Sequence, residues 1–188
     1  METFGFVLSH PTMAISVTEA LQSLILSIVS TDRALIKEDA LEFIDTTSRG
    51  VKGVGIFAKT DIEKGTVLLQ IPYASCISID KITANPKLSS VFVDNPGLLD
   101  YPDEVLAIGL MYAFLHPDDA ECDWALHVQT MPRKFDSTLF WDEEELLEIK
   151  DCMIFHLTRM MKNQINNDYY SIHQPLSQNY EILSEHLK

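Results

Sequence analysis

Gly53-Val54-Gly55-Ile56-Phe57-Ala58-Lys59-Thr60-Asp61-Ile62-Glu63-Lys64-Gly65-Thr66-Val67-Leu68-Leu69-Gln70-Ile71-Pro72 is the stretch whose reading decides the fold. A Gly-x-Gly turn leads into a short apolar run at 54–58 that reads as a strand. Asp61 to Gly65 reads as a turn, and 66–71 as a second, buried strand closed by Pro72. Immediately upstream, Leu41-Glu42-Phe43-Ile44-Asp45 alternates apolar and polar residues, as a half-buried strand does. A further short strand is expected at 75–79. Together these pieces predict a small antiparallel β unit. Glycine at 53 and 55 has no Cβ, so the backbone there can turn sharply and approach a ligand closely.

Outward from this unit the periodicity becomes helical. Val17, Leu21, Leu24, Ile25, Ile28 and Val29 share one face of a helix predicted over 15–30, and a short second helix is expected at 33–40. Downstream, Asp80 can cap a helix that runs to Ala84 and stops at Asn85-Pro86. Residues 85–102 hold three prolines and read as a loop with at most one helical turn. Pro102-Asp103-Glu104 opens a helix to Leu115, with proline in its first turn and acids at the positive dipole end. Further helices are expected at 121–130, 142–149 and 153–170. The fold class is α+β. Residues 1–40 form an N-terminal helical segment, 41–80 the β unit and 81–188 a helical block.

Composition narrows the function classes. The chain has 188 residues, enough for a sizeable core. Its net charge of −14 argues against nucleic-acid binding, which draws most of its affinity from a basic face. The same charge would suit a basic protein partner, and it equally describes a soluble acidic surface. Cys76, Cys122 and Cys152 are widely spaced with no C-x-x-C pair, so neither a zinc site nor a disulfide framework is indicated, and a reducing compartment fits best. The N-terminus has no basic n-region of a secretory signal, and the apolar run 21–29 is far below the ~20 residues of a membrane span. The expected location is intracellular, cytoplasmic or nuclear, without membrane attachment.

A second segment runs Asp123-Trp124-Ala125-Leu126-His127-Val128-Gln129-Thr130-Met131-Pro132-Arg133-Lys134-Phe135-Asp136-Ser137-Thr138-Leu139-Phe140-Trp141-Asp142-Glu143-Glu144-Glu145-Leu146. Taken with residues 53–72, it resembles the SET methyltransferase domain in the form found in the plant RuBisCO large-subunit methyltransferase and its relatives. Those proteins usually read Trp, a short helix, Leu-Pro, an aromatic, Thr-Pro-Leu and an acidic helix. Here Met131 stands for the leucine, and Ser137-Thr138-Leu139 lacks the usual proline. The resemblance covers roughly residues 41 to 180. It implies the N-terminal half of a SET β fold with a largely α-helical insert.

It also implies a cofactor and a reaction. The glycine turn of that family lies along S-adenosyl-L-methionine, which maps onto Lys52, Gly53, Val54 and Gly55; relatives can carry an acidic residue where Lys52 stands. Arg49-Gly50-Val51 also resembles such a turn, but the later pair keeps Ile56-Phe57-Ala58 and Asp61-Ile62 in register. The implied activity is S-adenosylmethionine-dependent methylation of a protein substrate, on lysine or, as also known in the subfamily, on histidine. The family completes its site with an Asn-His pair and a late tyrosine. This chain has no Asn-His dipeptide, and Tyr169, Tyr170 and Tyr180 fall in the helical block. No catalytic residue is therefore assigned. The expectation is the N-terminal part of a longer enzyme, a truncated gene product, or a remnant that acts as a protein-interaction module.

The remaining candidates have plainer readings. Trp124, Phe135, Phe140 and Trp141 could cage a cation, but core packing of the insert explains them more simply. The acids of 142–145 open a helix and read as a solvated cap. Six scattered histidines form no close ligand spacing, so no metal is expected.

Overall fold

The computed structural model describes residues 17–31, 33–45, 54–131, 135 and 137–179. Helix α1 spans Val17–Val29. Ala20 is buried and Leu21, Leu24, Ile25 and Ile28 are half-buried, the face with which α1 meets α5 (Ala125–Thr130). The Ser30 hydroxyl donates to the Ser27 carbonyl at 2.7 Å and ends the helix.

The helix expected at 33–40 is replaced by strand and turn. Arg33 has φ 66°, a left-handed conformation that a helix cannot continue through. Strand β1 (Leu35–Ile36) then pairs antiparallel with β4 (Leu69–Gln70), Leu35 opposite Gln70 and Ile36 opposite Leu69. The Gln70 side-chain amide donates to the Arg33 carbonyl at 2.8 Å and holds the bend. A partner more than thirty residues downstream thus overrides local helix preference.

Strands β2 (Leu41–Asp45) and β3 (Val54–Ala58) lie where the alternation places them and pair antiparallel from Leu41–Ala58 to Asp45–Val54. The two pairs are separate two-stranded sheets. The turn at 61–65 is also as expected, closed by Thr66 N–H donating to the Glu63 carbonyl, with Gly65 at φ 92°. The buried strand expected at 66–71 shrinks to the two residues of β4, and Val67, Leu69 and Ile71 are exposed. An apolar run is buried only when a second layer covers it. The strand expected at 75–79 is instead a 3₁₀ turn at Tyr73–Ser75 followed by a helix start. Ser78, not Asp80, is the N-cap of α2 (Ile79–Ala84), its hydroxyl accepting from Lys81 N–H at 3.3 Å.

The helical block is denser than the prolines of 85–102 suggest: α3 (Ser89–Asp94) and a 3₁₀ turn at Pro96–Asp100 fill that interval. Helix α4 runs Pro102–Leu115 with Pro102 in its first turn. Helix α5 starts at Ala125, later than expected, because turns fill 117–124. Helix α6 (Glu143–Leu147) opens with a capping box: Asp142 accepts from Glu145 N–H at 2.8 Å and Glu145 accepts from Asp142 N–H at 2.9 Å. Helix α7 (Met153–Asn179) extends nine residues beyond the expected end at 170.

The hydrophobic core lies in this block. Ile82, Leu88, Val91, Ile108, Tyr112, Trp124, Val128 and, from the far end of α7, Leu176 pack together. Helices α2 and α4 meet where Gly109 faces Ile82; a Cβ on Gly109 would lie 2.4 Å from Ile82 Cδ1. The Trp124 indole donates to the Gly109 carbonyl at 3.0 Å and pins α5 to α4.

Candidate functional site

Of the four expected cofactor-binding residues, Lys52 and Gly53 lie outside the described residues, as do Arg49-Gly50-Val51. Val54 opens β3 opposite Asp45, and Gly55 pairs with Ile44. Gly55 is half-buried and is followed by exposed Ile56 and half-buried Phe57. The turn that resembles a cofactor loop therefore leads directly into a paired strand, with β2 fixing the register of its first residues. Beyond β3, Lys59 donates to the Glu38 carbonyl at 2.8 Å, and its N–H to the Ala40 carbonyl at 2.9 Å. These bonds tie the strand exit to the bend between β1 and β2.

Trp124 and the other aromatics do not converge. Trp124 is buried in the core, as the packing reading expects. Phe135 and Phe140 stack on each other with centroids 5.6 Å apart and are both exposed, which the packing reading does not expect. The acids of 142–145 form the cap described above. Tyr169 and Tyr170 lie on α7; Tyr169 packs against the core, and burial followed by the charge of Tyr170 raises its pKa. Tyr180 lies outside the described residues.

Among the described residues, one electrostatic cluster centres on a residue that the sequence does not single out. Asp119, with a side chain 8% exposed, accepts from the Tyr112 hydroxyl, from Lys87 Nζ at 3.0 Å and from Glu121 N–H at 3.2 Å. These bonds, led by Tyr112 and then Lys87, hold its pKa down to about 2. Burial and the Asp119 carboxylate push the Tyr112 phenol well above its ordinary range. Burial, reinforced by Asp119, lifts the Cys122 thiol to about 11, which leaves it inert as a nucleophile. Beside it, buried Asn85 donates to the Glu121 carbonyl at 3.0 Å and accepts from Lys87 N–H at 2.9 Å. Every partner is internal, so the cluster fastens the 116–124 turns to α2 and α4. It is structural.

Two further observations bound the chemistry. An open apolar groove of about 360 Å³ is lined by Thr83, Phe92, Val93, Pro96 and Leu99 and shares no residue with the expected cofactor turn. Among the described residues no three His, Cys, Asp or Glu side chains are grouped to hold a metal ion, and no helix is long and apolar enough to cross a membrane.

No family model matches the chain. It is similar to the ribulose-1,5 bisphosphate carboxylase/oxygenase large subunit N-methyltransferase of Nicotiana tabacum, 29% identical over 139 residues, which are 71% of this chain and 26% of that protein. It is similar to the fructose-bisphosphate aldolase-lysine N-methyltransferase of Arabidopsis thaliana, 27% identical over 125 residues, 66% of this chain and 24% of that one. The chain thus spans about a quarter of the length of these relatives. Among solved structures, a Rubisco LSMT bound to sinefungin and monomethyllysine superposes with a TM-score of 0.68 at 20% identity, covering 88% of this chain and 36% of the other. The chain has the fold of part of that SET protein, an α+β arrangement of small sheets and a helical block.

Proposed function

We propose that this chain is the cofactor-proximal part of a SET-type protein-lysine methyltransferase that uses S-adenosyl-L-methionine. The observation that carries the proposal is the joint match: a Gly-x-Gly segment running into β3, the Trp124 segment packed on α4, and a fold shared with a protein solved with sinefungin, an analogue of that cofactor.

Methyl transfer to an amine is an in-line displacement. The carbon–sulfur bond breaks as the nitrogen–carbon bond forms, and the sulfonium leaves as a neutral thioether. The amine must first lose a proton, because a free lysine has a pKa near ~10.4. A site of this kind desolvates the amine and holds it about 3–3.5 Å from the methyl carbon. The role assigned to this chain is cofactor positioning. Gly53 and Gly55 let the backbone approach, Lys52 and Val54 flank the contact, and the β2–β3 pairing fixes its register. No general base is assigned within it. The acidic charge of −14 supports a protein substrate with a basic target region rather than a nucleic acid. The three free cysteines support action in a reducing compartment.

The test is calorimetric titration with S-adenosylmethionine and a tritium-methyl transfer assay. Residues 1–188 alone are expected to bind the cofactor weakly and to transfer nothing. A longer natural polypeptide containing them is expected to methylate lysine and to lose that activity in Gly55→Val. Undiminished transfer by the Gly55→Val form would move the cofactor contact away from β3.

A further inference from the structure

Thr60 lies just beyond the end of β3, in a segment at 59–63 that runs without helix or strand to the turn at Lys64-Gly65. Lys59, Thr60, Asp61, Glu63 and Lys64 are exposed and Ile62 is half-buried. The Thr60 hydroxyl makes no hydrogen bond among the described residues. The segment is held at both ends, by the β2–β3 pairing before it and by Thr66 N–H donating to the Glu63 carbonyl after it. Another protein's cleft can therefore take it in without unfolding this one.

The residues around that hydroxyl form a pattern that a kinase reads. Asp61 follows it directly and Glu63 stands three residues on. Before it, Phe57 and Ala58 carry no charge, and Lys59 is engaged with the Glu38 carbonyl at 2.8 Å. Lys64 comes four residues on, in the turn itself. No proline follows Thr60 and no cation stands two or three residues before it, so neither a proline-directed nor a basic-directed kinase would select it. A kinase whose cleft presents Arg or Lys to acids downstream of the acceptor would, because Asp61 and Glu63 can meet those cations in charge-assisted bonds. Of all the serines and threonines in the chain, only Ser16 and Thr60 have an acid three residues on, and Ser16 lies outside the described residues.

From this exposed hydroxyl and the acids that follow it, we infer that Thr60 is the acceptor of an acid-directed Ser/Thr protein kinase, and that its phosphate draws Lys59 away from Glu38. The γ-phosphoryl group of ATP passes to Thr60 Oγ1. The new O–P bond forms as the bond to the ADP oxygen breaks, and the hydroxyl proton goes to the kinase's base. The phosphate brings a charge of about −1.5 to −2 beside Asp61 and Glu63. A cation on the neighbouring residue relieves that repulsion, and a phosphate oxygen is a stronger acceptor for Lys59 Nζ than a neutral carbonyl. The exit of β3 then loses its side-chain tie to the bend between β1 and β2 and keeps the bond from Lys59 N–H to the Ala40 carbonyl. The inference stands independently of the methyl-transfer reading.

It is tested by incubating the chain with magnesium ATP and an acid-directed kinase of the casein-kinase type, and locating phosphate by peptide mass spectrometry. The expected result is phosphate on Thr60. Glu63→Gln is expected to slow its addition at least about tenfold, because the kinase loses a charge-assisted bond. Thr60→Val is expected to abolish it. A proline-directed and a basic-directed kinase, used in parallel, are expected to leave Thr60 unmodified. No phosphate on Thr60 overturns the inference, as does an undiminished rate in Glu63→Gln. Amide exchange reads the consequence. In the phosphorylated chain the Lys59 amide and the amides of β3 are expected to exchange about two- to tenfold faster, the loss of one hydrogen bond, while those of α4 are unchanged. Lys59→Met without phosphate is expected to reproduce that change. Exchange in β3 that phosphorylation leaves unaltered overturns the step through Lys59.

Discussion

The Tyr112 hydroxyl, carried on α4, donates to the carboxylate of Asp119 in the turn that follows, and Lys87 from the α2–α3 connection donates to the same carboxylate. One acid thus gathers three segments of the helical block. Asp119→Asn keeps an acceptor for Tyr112 but removes the charge that Lys87 meets. It is expected to lower stability by about 1–2 kcal/mol at neutral pH, read as a shift in the urea midpoint at constant slope.

The same carboxylate makes stability depend on acid. Its folded pKa of about 2 lies below the ordinary 3.8, so the folded state favours the charged form. The contribution is fully present above pH 3.8 and is lost as pH falls toward 2. The stability gap between the parent and Asp119→Asn should therefore narrow across that window and stay constant from pH 5 to 7. A gap that instead widens on acidification contradicts this assignment.

Gly109→Ala is expected to cost about 1–3 kcal/mol, because Ile82 is fully buried and cannot yield the space without moving its neighbours. Ile82→Val should recover part of that loss when combined with it. A double-mutant cycle in thermal melts measures the recovery, and strict additivity would mean that the two residues do not press on each other.

Gly65→Ala tests the opposite limit. Nothing lies within 4 Å of a Cβ there, yet φ is 92°, so the cost is conformational and is expected at about 1 kcal/mol or more. Gly97→Ala, equally open and without a positive φ, should be close to neutral in the same denaturation assay.

Asp142→Ala removes one half of the capping box on α6 and is expected to cost about 1 kcal/mol. Asp142→Ser should restore most of it, since a serine hydroxyl can accept from the same N–H. Thermal melts of the two variants side by side distinguish capping from a loss of charge.

What could be read in advance follows from the range of the interactions. Helix α4 was legible because its start and stop are encoded locally, by Pro102 and by His116-Pro117. The β2–β3 pair was legible from alternation over five residues. The bend at Arg33 and the two-residue β1 were not, because their partner is β4, and no local propensity reports a contact of that separation. The exposure of Val67 and Ile71 was illegible for a related reason: hydrophobicity marks a residue that can be buried, not what covers it. At the candidate site, the strand holding Val54 and Gly55 was foreseen, while Lys52 and Gly53 lie outside the described residues. The Asp119 cluster escaped notice since its partners sit 7 and 32 residues away. The exposed apolar face at the start of α7 did carry a signal, the helical recurrence of apolar residues at 153, 157, 160, 161 and 165, which alone does not say whether the face is covered.

The two β pairs contribute no residue to the core cluster, and isolated two-stranded ladders are marginal in water. The molecule consequently opens in a set order. Amide protons of β2 and β3 exchange through local fraying while those of α4 wait for global unfolding, and among the described residues a protease cuts within 54–72 before it reaches the helical block. Among the described residues, the strand that carries Val54 and Gly55 is therefore less protected than the helical block, and a ligand that bound beside it would slow its exchange first.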